Sequence, residues 1–411
     1  MTRSTLLKNA RVIDGANGLN EIADVFVKDG CIAEVAPDLE QRLPANSGVL
    51  VLDLEGLLVT PGLVDIHAHL FATAGNPDAW AGEYSVWPDC FSFRTGVTTM
   101  VDAGSAGWRN FGHFCATVAE RAKTRIFAAV NIAGHGMVGE GCEQYLPELE
   151  ARRAADACAK YAAFAVAIKT AHYAAPGWDS VDRAIEAGEL SGLPVMVDFG
   201  YFVKERPYWR LVTEKMRPGD ISTHCFRGPV PVVDDEGVLY PYLKQARDRG
   251  VLFDLGHGAG SFLFRNAAPA FQQGFYPDSI STDLHTFSMN EAMIDMPTTI
   301  SKCMALGMPI KEAIDRSTRR PAEIIGHKEL GTLSVGSEAD IAVWRINERP
   351  DGFGFKDSVG ARVTGYRRLE CEMTFKSGTV VWDLNARVPC DYAALPSDSG
   401  VRPGEFIVTP E

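Results

Sequence analysis

His67 and His69, separated by one residue, close an apolar run that starts at Leu57 and passes through Val59-Thr60-Pro61-Gly62-Leu63-Val64-Asp65-Ile66. In an extended strand, residues two apart point to the same side, so both imidazoles face one point. Two neutral imidazoles converging at the end of a buried strand make half a site for a divalent cation. Other polar residues end other apolar runs. Lys169 closes Ala165-Val166-Ala167-Ile168, His224 follows Thr223, His257 follows Phe253–Gly256, and Asp283 sits in Ser281-Thr282-Asp283-Leu284-His285. A buried ammonium is costly unless paired, so Lys169 needs a reason. Reaction with carbon dioxide supplies one. The carbamate is an anion with two oxygens that can bridge two cations, whereas an ammonium would repel them. Asp283 is expected to be both metal ligand and proton shuttle, and His257 to stabilise a developing oxyanion. His113, His285 and His327 are read as structural.

These residues need a scaffold that brings strand ends together. Strand and helix signals alternate through the middle of the chain. The strand candidates are Val64–His69, Thr98–Asp102, Arg125–Ile132, Ala163–Lys169, Val195–Phe199, Asp220–His224, Val251–Leu255 and Ser279–Asp283. Helical patterns separate them at Trp108–Lys123, Pro147–Tyr161, Ser180–Leu190, Tyr240–Arg249 and Ser261–Gln273. Eight strands with intervening helices predict an α/β fold, a (β/α)8 TIM-like barrel whose chemistry lies at the C-terminal strand ends. The boundaries are 61–330 for the barrel, with 1–60 and 331–411 forming a small β-sandwich from both chain ends. Loops Gly134–Glu143 and Gly228–Tyr240 are candidate covers for the site.

At 411 residues the chain exceeds the size at which one core usually stops growing, which fits two domains. The net charge of -13 argues against nucleic-acid and anionic-membrane partners, since polyanions need a basic face. The nine cysteines form no C-x-x-C pair, the usage of a reduced compartment. With neither a secretory signal nor a membrane-spanning run, a cytoplasmic location is expected. The partner is expected to be a small-molecule substrate, and the assembly a homo-oligomer.

Several longer strings carry a resemblance: Val59–His69, Thr223-His224-Cys225-Phe226, Phe253-Asp254-Leu255-Gly256-His257-Gly258, Asp278–His285 and Gly331–Val343. The chain resembles the amidohydrolase superfamily, and within it the deacetylase and dihydroorotase-like metallohydrolases. The resemblance implies that His67, His69 and Asp283 hold the more buried metal. It implies that Lys169, carboxylated, bridges to a second ion bound by His224, with zinc the expected metal and two ions per chain. The family places a histidine at the end of strand five, where this chain has Met196-Val197-Asp198-Phe199-Gly200. Three outcomes stay open: Asp198 ligates through oxygen, His172 supplies the missing imidazole, or the second metal is weak or absent and Asp198 contacts substrate. Arg109, Arg227 and Arg265 lie just past strand ends and are candidates for binding a substrate carboxylate, although loop arginines more often face solvent.

The implied activity is hydrolysis of an amide or ester bond of a small N-acyl or O-acyl carboxylate by a metal-bound hydroxide. Opening of a cyclic amide, as in dihydroorotases and hydantoinases, is the enzymic alternative. A deaminase of cyclic amidines is a further one, against which Lys169 counts. A catalytically dead barrel acting as a scaffold is the non-enzymic alternative, and retention of H-x-H, lysine and aspartate counts against it.

Overall fold

Seven short runs of almost wholly buried side chains build a parallel sheet. They are β6 (Leu63–Ala68), β7 (Val97–Asp102), β8 (Arg125–Asn131), β9 (Ala165–Thr170), β10 (Val195–Val197), β11 (Ile221–Ser222) and β12 (Leu252–Phe253). Strands covered on both faces read as continuous apolar runs, which is why the sequence shows them so plainly. They lie side by side in chain order. The expected eighth strand, Ser279–Asp283, is instead an irregular segment. Ser279 bridges in parallel to Asp254 and Leu284 to Ala68, so this segment joins the two edges of the curled sheet. Asp65 ties it down by accepting from the Thr282 N–H (3.1 Å) and hydroxyl (2.5 Å). The computed structural model describes residues 4–44, 48–139 and 141–395. The expected end-formed domain at 1–3, 45–47 and 396–411, and residue 140 in the Gly134–Glu143 loop, lie outside the described residues.

Helices Ala151–Lys160, Pro241–Asp248 and Phe264–Gln272 fall inside the expected segments, and Asp179–Ser191 exceeds the expected Ser180–Leu190 by one residue at each end. The stretch expected as a helix over Trp108–Lys123 is shorter: one α-turn at Phe111–Phe114 runs into a π-helical turn at Cys115–Ala119. The Thr117 hydroxyl donates to the His113 carbonyl four residues back (2.7 Å), competing with the backbone for that acceptor. Among the described residues no helix is long and apolar enough to cross a membrane.

The chain ends meet in one eight-stranded sheet. It contains β1 (Thr5–Asp14), β2 (Leu19–Lys28), β3 (Cys31–Ala36), β4 (Leu50–Asp53), β5 (Leu58–Pro61), β13 (Ile341–Lys356), β14 (Arg362–Lys376) and β15 (Thr379–Asp383). β5 pairs antiparallel with β13, which joins the N-terminal and C-terminal strands. Leu7, Val25, Leu54, Val343 and Phe375 share its apolar core. Trp344, fully buried, packs instead into the core of the parallel sheet and so joins the two units, while its ring N–H donates to Thr60 Oγ1 of the neighbouring β5 (3.0 Å). The β13–β14 hairpin reaches to the loop after β12. There Asp357 accepts from the Phe264 N–H (3.0 Å), and the Ser358 N–H donates to the Phe262 carbonyl (3.0 Å).

Candidate metal centre

β6 and the residue after it deliver the paired histidines. Their rings are 5.9 Å apart, and each is oriented by a hydrogen bond at Nδ1. His67 Nδ1 donates to Thr223 Oγ1 (2.9 Å), which itself donates to Asp254 (2.7 Å). His69 Nδ1 lies 2.9 Å from Ser105 Oγ. Both Nε2 atoms therefore point at Asp283, whose Oδ1 is 3.2 Å from His69 and 3.5 Å from His67. The three side chains are buried, and their ligand atoms lie within 4.8 Å of one another. His224 follows the same rule: Nδ1 donates to the Gly256 carbonyl (2.6 Å), leaving Nε2 3.9 Å from Asp283 Oδ2. Anchoring one ring nitrogen fixes the tautomer and leaves the other as a ligand atom.

Lys169 ends β9 with no exposed surface. Its Nζ is 3.3 Å from His67 Nε2 and 3.6 Å from Met196 Sδ. Among the described residues no carboxylate oxygen comes within the 4.0 Å of an ion pair. Gly104 makes room for this side chain: a Cβ there would stand 2.6 Å from Lys169 Cβ, and its backbone adopts φ +84°. Gly258 does the same for Asp283, whose Oδ2 would lie 2.4 Å from a Cβ. His172, His224 and Asp283 all have left-handed backbones (φ 54°, 57° and 48°), a costly state for residues with a Cβ that gathers at functional sites.

Asp198, after β10, sits between two imidazoles. Its Oδ2 is 3.5 Å from His224 Nε2 and 3.4 Å from His172 Nε2. Its Oδ1 is buried without a hydrogen-bond partner and has Arg227 Nη1 at 3.6 Å. His172 in turn meets Glu143 Oε2 through Nδ1 (2.9 Å), and its carbonyl accepts from Gln144 (2.5 Å). Beside it lies a cavity of about 340 Å³ bordered by Trp80, Met137, Glu143, His172 and Tyr201.

Burial and mutual charge set the protonation of these groups. Burial raises the Asp283 carboxyl, but His67, His69, His285 and His224 outweigh it and hold it well below the usual carboxylate range. Asp198 behaves alike, with burial opposed by His224, His172 and Lys169. Burial pushes the Lys169 ammonium down against the pull of Asp198 and Asp283. Burial and then Lys169 bring His67 down to about 4, so its imidazole is neutral near pH 7. His172 is depressed by burial, yet Glu143 and Asp198 bring it up to about 9.

His67, His69, Lys169, Asp198, His224, Asp283 and His172 thus come together at the strand ends. His257 does not join them. Its Nδ1 donates to the Gly258 carbonyl (2.8 Å) and its Nε2 accepts from Lys302 Nζ (2.8 Å), leaving no N–H for an oxyanion. Sequence reasoning missed Asp254, which accepts from Thr223, Ser279 (2.5 Å) and Ser281 (2.8 Å) and lies 3.4 Å from His67 Nδ1. An acidic residue closing the apolar run of β12 was its available signal. It also missed Glu143, and read His285 as structural. That ring stands 3.9 Å from Asp283 Oδ2 and edge-on to Trp80 at 4.4 Å.

The donor set fits a divalent cation: three imidazoles with Nδ1 engaged and Nε2 directed inward, two carboxylates, and one buried carboxylate oxygen without a donor. Residues 264–381 match the model of the amidohydrolase family. A protein named deacetylase from Brucella anthropi is 32% identical over 358 residues, spanning 83% of this chain and 84% of the relative. Among solved structures, one titled an adenine deaminase superposes with a TM-score of 0.81 at 28% identity, covering 93% of this chain and all of the other. One titled a dihydroorotase superposes at 0.80, also 28% identical, covering 92% and 99%.

Proposed function

The chain belongs to the amidohydrolase family and is a hydrolase acting on C–N bonds, and from that premise we propose a metal-dependent deacylase of small N-acyl or O-acyl carboxylates. The observation that carries the reading is the convergence of His67 and His69 Nε2 on Asp283, with Lys169 buried beside them. We read the parallel sheet and residues 279–284 as a (β/α)8 barrel over 61–330, and the mixed sheet as a second domain from 1–60 and 331–411.

His67, His69 and Asp283 would hold one ion, and His224 with Asp198 a second. Lys169, with no carboxylate at ion-pair distance among the described residues, would as its carbamate add an anionic ligand to this set. Zinc suits this nitrogen and oxygen set, with two ions per chain. A divalent ion bound there supplies an acidified water and polarises the substrate carbonyl. Asp283 takes the proton of the attacking water and returns it to the leaving nitrogen or oxygen. Asp254, through Thr223, keeps the proton of His67 on Nδ1. The cavity beside Trp80 and His172, about 340 Å³, is of a size that suits a small molecule.

Opening of a cyclic amide is the second reading, favoured by the likeness to the structure titled a dihydroorotase. One experiment separates these readings. Chelation should abolish hydrolysis, zinc, manganese or cobalt should restore it, and a panel of N-acyl amino acids, acetyl esters, cyclic imides and adenine identifies the reaction. A fully active metal-free preparation would refute the proposal.

A further inference from the structure

Of the three arginines past strand ends, one stands at the centre. Arg109 is committed to Glu148 through two hydrogen bonds of 2.8 and 3.0 Å, and lies over the Trp108 ring. Arg265 is an exposed residue of helix Phe264–Gln272. Arg206 is buried and donates through Nη2 to the Tyr173 and Tyr201 carbonyls. Arg227 differs from all of these. Its N–H donates to the His224 carbonyl (2.9 Å), which ties it to the end of β11 beside a candidate ligand. Among the described residues its only charge partner is Asp198, with Nη1 3.6 Å from Oδ1, too long for a hydrogen bond. Among the described residues its guanidinium makes no hydrogen bond at all, and its side chain is 31% exposed.

We propose that Arg227 is the residue that selects an anionic substrate, gripping a carboxylate of the molecule whose acyl bond is cut. The inference rests on the hydrolase reading above and names the group that sets its substrate class. The whole chain carries -13, so an anion approaching from solvent is helped by a fixed cationic group at the rim of the site. A guanidinium offers a planar fork that matches a carboxylate with two parallel hydrogen bonds. Among the described residues the fork of Arg227 is uncommitted, it is solvent-reachable, and its backbone is anchored beside His224. Its neighbour Asp198 takes the side facing the candidate ligands, leaving the rest of the fork to the substrate.

The test compares N-acetylalanine with its uncharged primary amide on wild type and on Arg227→Gln, Arg227→Lys and Arg265→Gln. Arg227→Gln should raise KM for the carboxylate roughly ten- to a hundredfold, the scale of lost charge-assisted hydrogen bonds. It should leave kcat within a few-fold, metal content unchanged and the amide unaffected. Arg227→Lys should recover part of the loss and Arg265→Gln should match wild type. Equal losses on acid and amide, or a fall in bound metal, would overturn the proposal, because Arg227 would then be holding Asp198 in place. Binding of the same pair, measured by calorimetry, keeps the two readings apart. A protein that hydrolyses no compound of the panel above, with metal supplied, yet loses carboxylate affinity in Arg227→Gln defeats the hydrolase reading alone. A wild type that binds acid and amide equally defeats this inference alone.

Discussion

At the scale of single residues, the site separates groups that touch the reacting atoms from groups that orient them. Asp283 is the sharpest case, a carboxylate held charged by the imidazoles around it. Asp283→Asn keeps the shape and removes the base, so turnover should fall by about two to four powers of ten. Steady-state kinetics with metal content measured alongside checks this, and a variant that keeps both metal and turnover would rule out the shuttle role. Lys302 is an orienting residue. It is 1% exposed, donates to His257 Nε2 and to the Ala292 carbonyl, and burial brings its ammonium down from 10.5 to about 7. Between those values the unfolded chain binds more protons than the folded one, so stability rises with pH there and is lost as pH falls through about 7. Wild type should therefore gain on Lys302→Met by up to about 1.4 kcal/mol per pH unit in that window. Denaturant melts of both proteins at about pH 6 and about pH 9 read this directly, and an offset independent of pH would contradict it.

At the scale of elements, short buried strands carry the ligands and longer-range devices hold their loops. The β13–β14 hairpin is one such device. At its tip Asp357, 1% exposed, accepts from the N–H groups of Phe264 (3.0 Å), Val359 (3.0 Å) and Ala361 (2.8 Å). Asp357→Ala leaves the buried Phe264 N–H without an acceptor, while the exposed Val359 and Ala361 can turn to water, and should cost about 1–3 kcal/mol. Hydrogen exchange should speed up around Phe262–Phe264 and at the hairpin tip while β1–β3 stay protected. Unchanged exchange at Phe264 would show that the hairpin does not brace the loop after β12. The π-helical turn at Cys115–Ala119 shows the opposite situation, where the apolar period foretold a helix and a hydroxyl bond from Thr117 altered its last turns.

At the scale of the whole molecule, the centre draws on side chains from β6, β9, β11 and the segment joining the sheet edges, so an ion bound there also ties the fold together. Binding to the native state alone adds stability by mass action, about 4 kcal/mol when free metal is a thousand times its dissociation constant. Chelation should accordingly lower Tm, and zinc should restore it in a concentration-dependent way. Thermal melts that ignore both additions would speak against metal-coupled stability. Trp344, a residue of the mixed sheet, buries its ring in the core of the parallel sheet, so the two units are expected to melt in one transition.

The groups able to do chemistry were determined by local sequence. A strand's period of two aims His67 and His69 together, and charge at the end of an apolar run marks Lys169 and Asp283, because burial there needs a compensating partner. The strands of the parallel sheet were equally plain, since both their faces are covered. Which partner each group meets was decided only in three dimensions. His67 reaches Asp254 across 187 residues of chain, and the Thr282 hydroxyl reaches Asp65 across 217. Folding also satisfied both nitrogens of His257 through Lys302 and Gly258, removing it from the chemistry, and set Asp198 between His172, His224 and Arg227. Periodicity reports which face of an element is buried. It carries no information about which distant side chain will lie opposite, because that depends on how the sheet curls and how its edges close.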